Sequence, residues 1–450
     1  MLGLSELLNI ASIRVTFITT EHILHKLSNN SQNNSADLLS FRAVPDGLPD
    51  DHDRSPEDVG DLIHSLHMQA APALRRILSS GGSDGSSPVT FIVVDGVMSF
   101  MVDIGEELSI PVLTFRTISA CSFWCYFCLP TLIKEGILPF NDETDMDERI
   151  QSVPGMEGFL RRRDLPSFCR VKELADHTLQ LIISETQATT RSSGLILNTV
   201  EPLESEILSH IRSVIPNVYP IGPIHAFLNK SRRSSMSSLL TEDRTCMAWL
   251  DVQPPKSVIY VSFGSIATVT RDQLLEFWHG LVNSEMRFLW VLRDNLVVNA
   301  DGEQETCVPS VAAYEKGRIV SWVPQLEVLG HPAIGGFLTH SGWNSTLESI
   351  TVGVPMVCWP YFADQQINSR FVSDVWRVGL DMKDTCDRVK VEKMVRELME
   401  EGERSVGMRR SASEFAEKVK SSIDEGGSSY AELQRLIHDI RSTGTAGEVS

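Results

Sequence analysis

The run GGFLTHSGWNSTLES, Gly335 to Ser349, brings His340, Asn344, Ser345 and Glu348 into one short stretch. An apolar strand ends at His340, a tight turn uses Gly342, and a helical pattern begins near Asn344 to Thr346. A helix start leaves main-chain N–H groups without intrahelical partners and carries the positive end of the helix dipole. With His340, Asn344 and Ser345 beside it, such a turn makes a compact anion site into which a diphosphate fits. The same Asn344, Ser345 and Thr346 also read as ordinary helix caps. In VSFGS, Gly264 and Ser265 end another apolar strand, which makes either a second anion loop or common loop chemistry. Trp322 and Gln325 in SWVPQ follow a third strand. An indole face there can stack on a flat base while the adjacent backbone and amide read its edge, or the Trp is simply core.

These positions all follow apolar strands, so the strands must position them. In the second half VIYVSFGS (Val258 to Ser265), RFLWVL (Arg287 to Leu292), GRIVSW (Gly317 to Trp322), GGFLTH (Gly335 to His340) and PMVCWP (Pro355 to Pro360) are strand candidates, each followed by a turn or helix signal. The first half repeats the alternation with IRVTFITT (Ile13 to Thr20), FIVVDG (Phe91 to Gly96), PVLTF (Pro111 to Phe115) and LILNT (Leu195 to Thr199), nearly continuous in apolar residues as parallel strands covered on both faces are. Alternating βα units in two series predict an α/β chain with two doubly wound domains facing each other across a cleft. Ligand sites then lie at the carboxyl ends of strands, where the residues above fall. SSGGSDGSSP (Ser79 to Pro88) reads as a surface loop, and the polar NKSRRSSMSS stretch between Gly222 and Asp243 as an interdomain linker.

Composition narrows the function classes. A chain of 450 residues with 42% hydrophobic content is expected to form two domains of roughly 200 residues each. A formal net charge of −19 argues against a nucleic-acid partner, because no basic excess exists to displace counterions. The eight Cys show no zinc-finger spacing, and Cys121, Cys125 and Cys128 in SACSFWCYFCLP read as buried thiols of a helix, as suits a reducing compartment. The leading MLGLSELLNIAS carries Glu6 and no basic lead-in, so it is a poor signal peptide, and no uncharged apolar run reaches the ~18 residues of a membrane span. The reading is a soluble cytoplasmic protein, acting as a monomer, in which the Asn-x-Ser matches at Asn29 and Asn33 are coincidental.

The run WVPQLEVLGHPAIGGFLTHSGWNSTLESITVGVPMVCWPYFADQ, Trp322 to Gln365, resembles the secondary-product signature of plant UDP-glycosyltransferases almost residue for residue. IVVDGVMSF, LILNTVEPLE and VIYVSFGS echo the same family, so the resemblance covers nearly the whole chain. It implies the GT-B fold, UDP-glucose as donor substrate, inversion at the anomeric carbon, and neither cofactor nor metal. By the same resemblance Trp322 lies against uracil, with Val323 and Gln325 near its edge, and Glu348 accepts from the ribose hydroxyls. His340, Asn344, Ser345 and Ser265 hold the phosphates, while Trp343, Asp364 and Gln365 contact the sugar. Galactose-using relatives tend to carry His where Gln365 stands, which implies glucose. Ser341 stands where many members have Cys, a neutral exchange in a turn that needs only a small residue. The Asp51-His52-Asp53 triplet imitates the metal motif of another glycosyltransferase fold but follows no apolar strand and reads as a solvated loop. Charge on the departing UDP can be stabilised by the helix start and His340 instead.

The family's reaction joins an acceptor hydroxyl or carboxylate to the anomeric carbon and displaces UDP, with a His general base oriented by an Asp. Asp95 in IVVDG matches that Asp; without the resemblance it reads equally as a strand-end carboxylate capping a turn. The matching His belongs to a loop after a first strand, upstream of the helix that here begins LGLSELL, so the expectation is a chain lacking that strand and that His. His22 in ITTEH matches a different family position. A UDP-sugar-binding protein without turnover is the alternative that the missing His favours; a dinucleotide oxidoreductase is disfavoured because no GxGxxG follows a strand. The expected organisation is an acceptor domain over 1–222, a linker over 223–243, a UDP-sugar domain over 244–427, and a C-terminal helix and tail over 428–450 packing back on the N-terminal domain. FRAVPDGLPDD and VTFITTEH resemble iridoid and terpenoid glucosyltransferases, which implies a small apolar terpenoid or phenolic acceptor.

Overall fold

The computed structural model describes residues 1–30, 39–49, 52, 54, 59–79, 88–141, 144–231, 241–293, 296–298 and 315–446. Asp51, Asp53 and Asn33, most of the 79–88 loop and most of the Ser-rich stretch before Asp243 lie outside the described residues. The N-terminal half contains β1 (Val15–Thr20), β2 (Leu39–Val44), β3 (Ile92–Asp95), β4 (Val112–Arg116), β5 (Gly194–Leu197) and β6 (Val218–Pro220). The C-terminal half contains β7 (Val258–Ser262), β8 (Val269–Thr270), β9 (Arg287–Val291), β10 (Val297–Val298), β11 (Gly317–Val320), β12 (Ile334–Thr339), β13 (Met356–Cys358) and β14 (Gly379–Asp381).

Every residue of β4, β5, β7 and β12 is buried, as parallel strands with helices on both faces require. The main C-terminal sheet has the order β11-β9-β7-β12-β13-β14, all pairs parallel. Chain order therefore runs outward in one direction from β7 and in the other from β12. The crevice at the carboxyl ends of those two neighbours is where such sheets bind ligands.

The N-terminal half departs from a single sheet. β3-β4-β5-β6 form one parallel sheet, whereas β1 pairs only with β2 in a separate two-stranded sheet. A ladder needs its neighbour within about 4.8 Å, and among the described residues no strand joins β1 to β3. The two sheets nonetheless share layers: Val15 and Val93 pack on one cluster with Leu4, Leu7 and Leu8 of helix Leu2–Ile10, and Ile18 and Val94 on another.

Helix Ala120–Lys134 buries Cys121, Cys125 and Cys128, and burial pushes the Cys128 thiol up to about 12. The stretch read as the start of a linker is instead helix Ile224–Ser231. Its Ile224, Ala226, Phe227 and Leu228 are buried in the N-terminal half, an apolar face that outweighs the polar residues following it. Helix Ser428–Ala446 sets Leu433, Leu436, Ile437 and Ile440 into that same cluster. Asp439 accepts from the Tyr219 hydroxyl (2.8 Å), and the Arg435 guanidinium lies 4.0 Å over the Tyr219 ring. Among the described residues, no helix is long and apolar enough to cross a membrane.

Candidate active site

The turn after β12 is built for an anion. Ser341 takes a left-handed φ of 64°, and helix Trp343–Val352 starts at Gly342 with no side chain capping it. Asn344 and Ser345 therefore do not act as the helix's own caps, and its first N–H groups are left for a ligand. Asn344 is exposed, and Ser345 is mostly covered. The His340 ring is wedged between two glycines. A Cβ at Gly264 would come 2.5 Å from the imidazole and one at Gly342 2.4 Å, so the loop after β7 and the turn after β12 close on the ring because neither carries a side chain. Burial, with the Arg293 charge adding to it, pushes His340 down to about 4, and its Nδ1 is sealed from solvent without a protein partner. The ring is thus neutral near pH 7 and offers a hydrogen bond, not a cation. Ser265 is exposed on the opposing loop.

Arg293, two residues past β9, donates to the Ala267 carbonyl and so ties down the loop carrying Ser265. Burial lowers it to about 10, which leaves it cationic. Sequence reading missed this residue; its signal is a lone cation at the carboxyl end of an apolar strand, one strand over from the switch point.

Trp322 is half-buried just after β11 and Val323 is buried beside it. Gln325 does more organising than its expected reading of a base edge. Its Nε2 donates to Glu348 Oε2 (2.6 Å) and Ser345 Oγ (2.9 Å), while its Oε1 accepts from the Tyr260 hydroxyl (3.1 Å). Both amide protons are spent, and one lone pair remains for any ligand. Glu348 is raised to about 7 by burial, which the Gln325 hydrogen bond only partly offsets.

Trp343 differs most from its expected sugar contact. Its indole N–H donates to the Asn198 carbonyl just after β5 (2.9 Å), and the ring packs against Trp376 at 6.2 Å. The side chain joins the halves, and only its main-chain N–H at the helix start faces an anion. Asn198 also donates to Asn344 Oδ1 (3.4 Å). Gln365 Oε1 accepts from the N–H groups of Tyr361 and Phe362 (both 2.8 Å), leaving its Nε2 as the outward donor. Asp364 is buried, which raises its carboxyl to about 6.

Asp95 closes β3 and accepts from the Val97 N–H at 3.2 Å, the turn-capping bond expected of a strand-end carboxylate. Arg116, which sequence reading passed over, lies buried across Gly96, where a Cβ would come 2.2 Å from its stem. Burial lowers this guanidinium while the Asp95 and Glu185 charges oppose the shift, and its Nη2 donates to the Thr186 hydroxyl (3.1 Å). The charges acting on His22 are Lys26, Arg54, Asp46 and His25, which places it in a different group from Asp95.

Comparison with known proteins agrees with this geometry. The family profile described as UDP-glucoronosyl and UDP-glucosyl transferase matches residues 170–422. A 7-deoxyloganetic acid glucosyltransferase from Catharanthus roseus is 49% identical, covering 98% of this chain and 94% of the relative. A myricetin 3-O-rhamnoside 1,2-glucosyltransferase from Crocosmia x crocosmiiflora is 45% identical over 98% of this chain and 93% of its own. Among solved structures, Os79 from O. sativa in complex with UDP superposes with a TM-score of 0.81 at 27% identity, covering 98% of this chain and 96% of that one. The two facing α/β halves are the GT-B architecture. With its switch-point crevice, its uncapped helix start and these relatives, the chain belongs to the UDP-glucuronosyl and UDP-glucosyl transferase family and is a UDP-glycosyltransferase.

Proposed function

We propose that this enzyme transfers glucose from UDP-glucose to a hydroxyl or carboxyl of a small apolar plant metabolite, of the iridoid, terpenoid or phenolic class, with inversion to a β-glucoside. The observation that carries the reading is the uncapped start of helix Trp343–Val352 at the β7/β12 crevice, with His340 wedged between two glycine turns. The diphosphate sits on that helix start, with Ser265, Asn344, Ser345 and neutral His340 as hydrogen-bond partners. Uracil lies on Trp322 beside Val323 and the remaining lone pair of Gln325, and ribose donates to Glu348. Asp364 and the Gln365 Nε2 face the sugar, and the main-chain N–H of Trp343 faces the diphosphate.

The acceptor oxygen attacks the anomeric carbon as the bond to UDP breaks. The proton of a hydroxyl acceptor passes to the Asp95 carboxylate, a carboxylate acceptor needing no base, and the charge gained by UDP is met by fixed dipoles and Arg293, so no metal or further cofactor is invoked. The acceptor class follows the relatives' names and the Os79 complex with a trichothecene. The 1–222 half holds the acceptor and the 244–427 half the donor, joined through 223–243, with 428–450 returning to the first half; the enzyme acts as a cytoplasmic monomer.

The test is release of UDP from UDP-glucose with iridoid acids, terpenoid alcohols and flavonoids as acceptors, with mass spectrometry of the product. Glycoside formation with one of these classes is expected. UDP binding by calorimetry with no glycoside from any class would leave a sugar-nucleotide-binding protein instead.

A further inference from the structure

Helix Gln365–Arg370 follows Asp364, and one of its side chains, Asn368, has no part in the reading above. It is 1% exposed, and all of its hydrogen-bonding capacity is used. Its Nδ2 donates to Asp364 Oδ2 (2.7 Å) and to the Ser341 carbonyl in the turn after β12 (3.0 Å). Its Oδ1 accepts from Ser119 Oγ (2.8 Å) and Ser122 Oγ (3.2 Å). Those two serines stand at the start of helix Ala120–Lys134, in the other half of the molecule. Two donors and two lone pairs are the full inventory of an Asn amide, so neither Asp, which lacks the donors, nor Leu can reproduce the set.

We propose that Asn368 is a positioning residue that holds the Asp364 carboxylate against the Ser341 turn and keys both to the N-terminal half through Ser119 and Ser122. The contacts to sugar and phosphate then take their working geometry only where the two halves meet. The neighbours on the same helix hold it in place: Ser369 Oγ donates to Asp381 Oδ1 (2.6 Å), and the Arg370 guanidinium donates to the Phe159 carbonyl (2.9 and 3.1 Å). Asn368 alone among these side chains touches both Asp364 and the turn.

The inference rests on Asp364 facing the donor sugar, and its test separates the two. Asp364→Ala, Asn368→Leu and the double variant are compared for KM and kcat with UDP-glucose at saturating acceptor. Asp364→Ala should raise KM; an unchanged KM means that Asp364 does not serve the sugar, and the inference falls with that reading. Asn368→Leu should raise KM for UDP-glucose by about tenfold, and by less than about threefold in the Asp364→Ala background, because coupled residues are not additive. If Asp364→Ala acts while Asn368→Leu leaves KM unchanged, or if the two effects multiply in full, Asn368 is only structural. Ser119→Ala combined with Ser122→Ala removes the keying hydroxyls, together with the Ser119 cap of helix Ala120–Lys134 and the Ser122 contact to the Asp364 carbonyl (3.4 Å), and serves if Asn368→Leu does not fold. It should raise the same KM by about two- to fivefold, and an unchanged KM overturns the link between halves.

Discussion

Glu348 carries a carboxyl raised to about 7, so near neutrality it is divided between a form that can accept two ribose hydroxyls and one that cannot. Ligand donors favour the ionised form, so affinity for UDP should fall as pH drops below about 7. UDP titrates its own phosphate in the same range, so the measurement is calorimetry on the parent and on Glu348→Gln across pH 5.5 to 8. The variant should bind about 1.5 to 3 kcal/mol more weakly at pH 8 and should lack the parent's additional pH slope. Equal affinities would make Glu348 a bystander. A second expectation concerns Gln365, whose spent Oε1 leaves only the Nε2 donor facing outward. Competition of UDP-glucose with UDP-galactose, read by mass spectrometry, should give the glucoside as the main product. A galactoside would overturn that assignment. At this scale residue types were legible in the sequence, while their spare capacity was not. Trp343 looks like a ligand contact until its N–H is found on Asn198, and Gln325 until its amide is found spent on Ser345 and Glu348. Both depend on partners that spacing along the chain does not reveal.

Among the elements, the turn after β12 is the one whose geometry is most exposed to test. Gly342 has an ordinary φ of −58°, so Gly342→Ala strains no backbone. What the added methyl does is strike the His340 ring, 2.4 Å away at Nε2. The imidazole must move from the place proposed for the diphosphate, and KM for UDP-glucose should rise at least about tenfold, the cost of one displaced hydrogen-bonding group. Because Gly264 hems in the other side of the ring, the overpacking should also lower the thermal midpoint, by the equivalent of about 1 to 3 kcal/mol. A fall in stability with unchanged KM would mean that the ring does not serve the donor. The strands bearing this site were readable because each is a continuous apolar run. β6 and β14 were not, since three residues such as Gly379–Asp381 carry too little pattern. β2 alternates half-buried and exposed residues up to the buried Val44, behind a polar lead-in, and gave no apolar run. Helix Ile224–Ser231 was hidden by the polar stretch it leads into.

In the whole molecule the halves are held by polar as well as apolar contacts. The Trp376 N–H donates to the Leu203 carbonyl (3.0 Å) and Phe371 meets Phe159 edge-on at 5.1 Å. Beside them Asp164, fully buried in the N-terminal half, pairs with Lys383 and with Arg370 (3.4 Å) of the other half and with Arg161 (2.9 Å) of its own. Burial pushes the Asp164 carboxyl up, but Lys383 and Arg161 more than offset this and hold it below the usual carboxylate range. Its contribution is therefore complete above about pH 4, the unfolded value, and is lost as pH falls through the lower folded value. Asp164→Ala leaves Asp381 (3.1 Å) as the carboxylate still paired with the buried Lys383 ammonium, and should cost up to about 3 kcal/mol, seen as a lower midpoint in urea at pH 7. A loss under about 1 kcal/mol would mean that the cluster is solvated and holds nothing.

One small contact beside helix Ser428–Ala446 ties together the two passages of the chain between the halves. The Lys230 ammonium donates to the Ile423 carbonyl (3.3 Å) and pairs with Asp424. Lys230 stands at the end of helix Ile224–Ser231, where the chain leaves the first half, and Ile423 ends helix Glu403–Ile423, where it turns back. The outbound and returning passages are therefore stitched side by side. The chain thus joins the halves twice at one corner of the molecule. Cutting one passage leaves the other to join the halves.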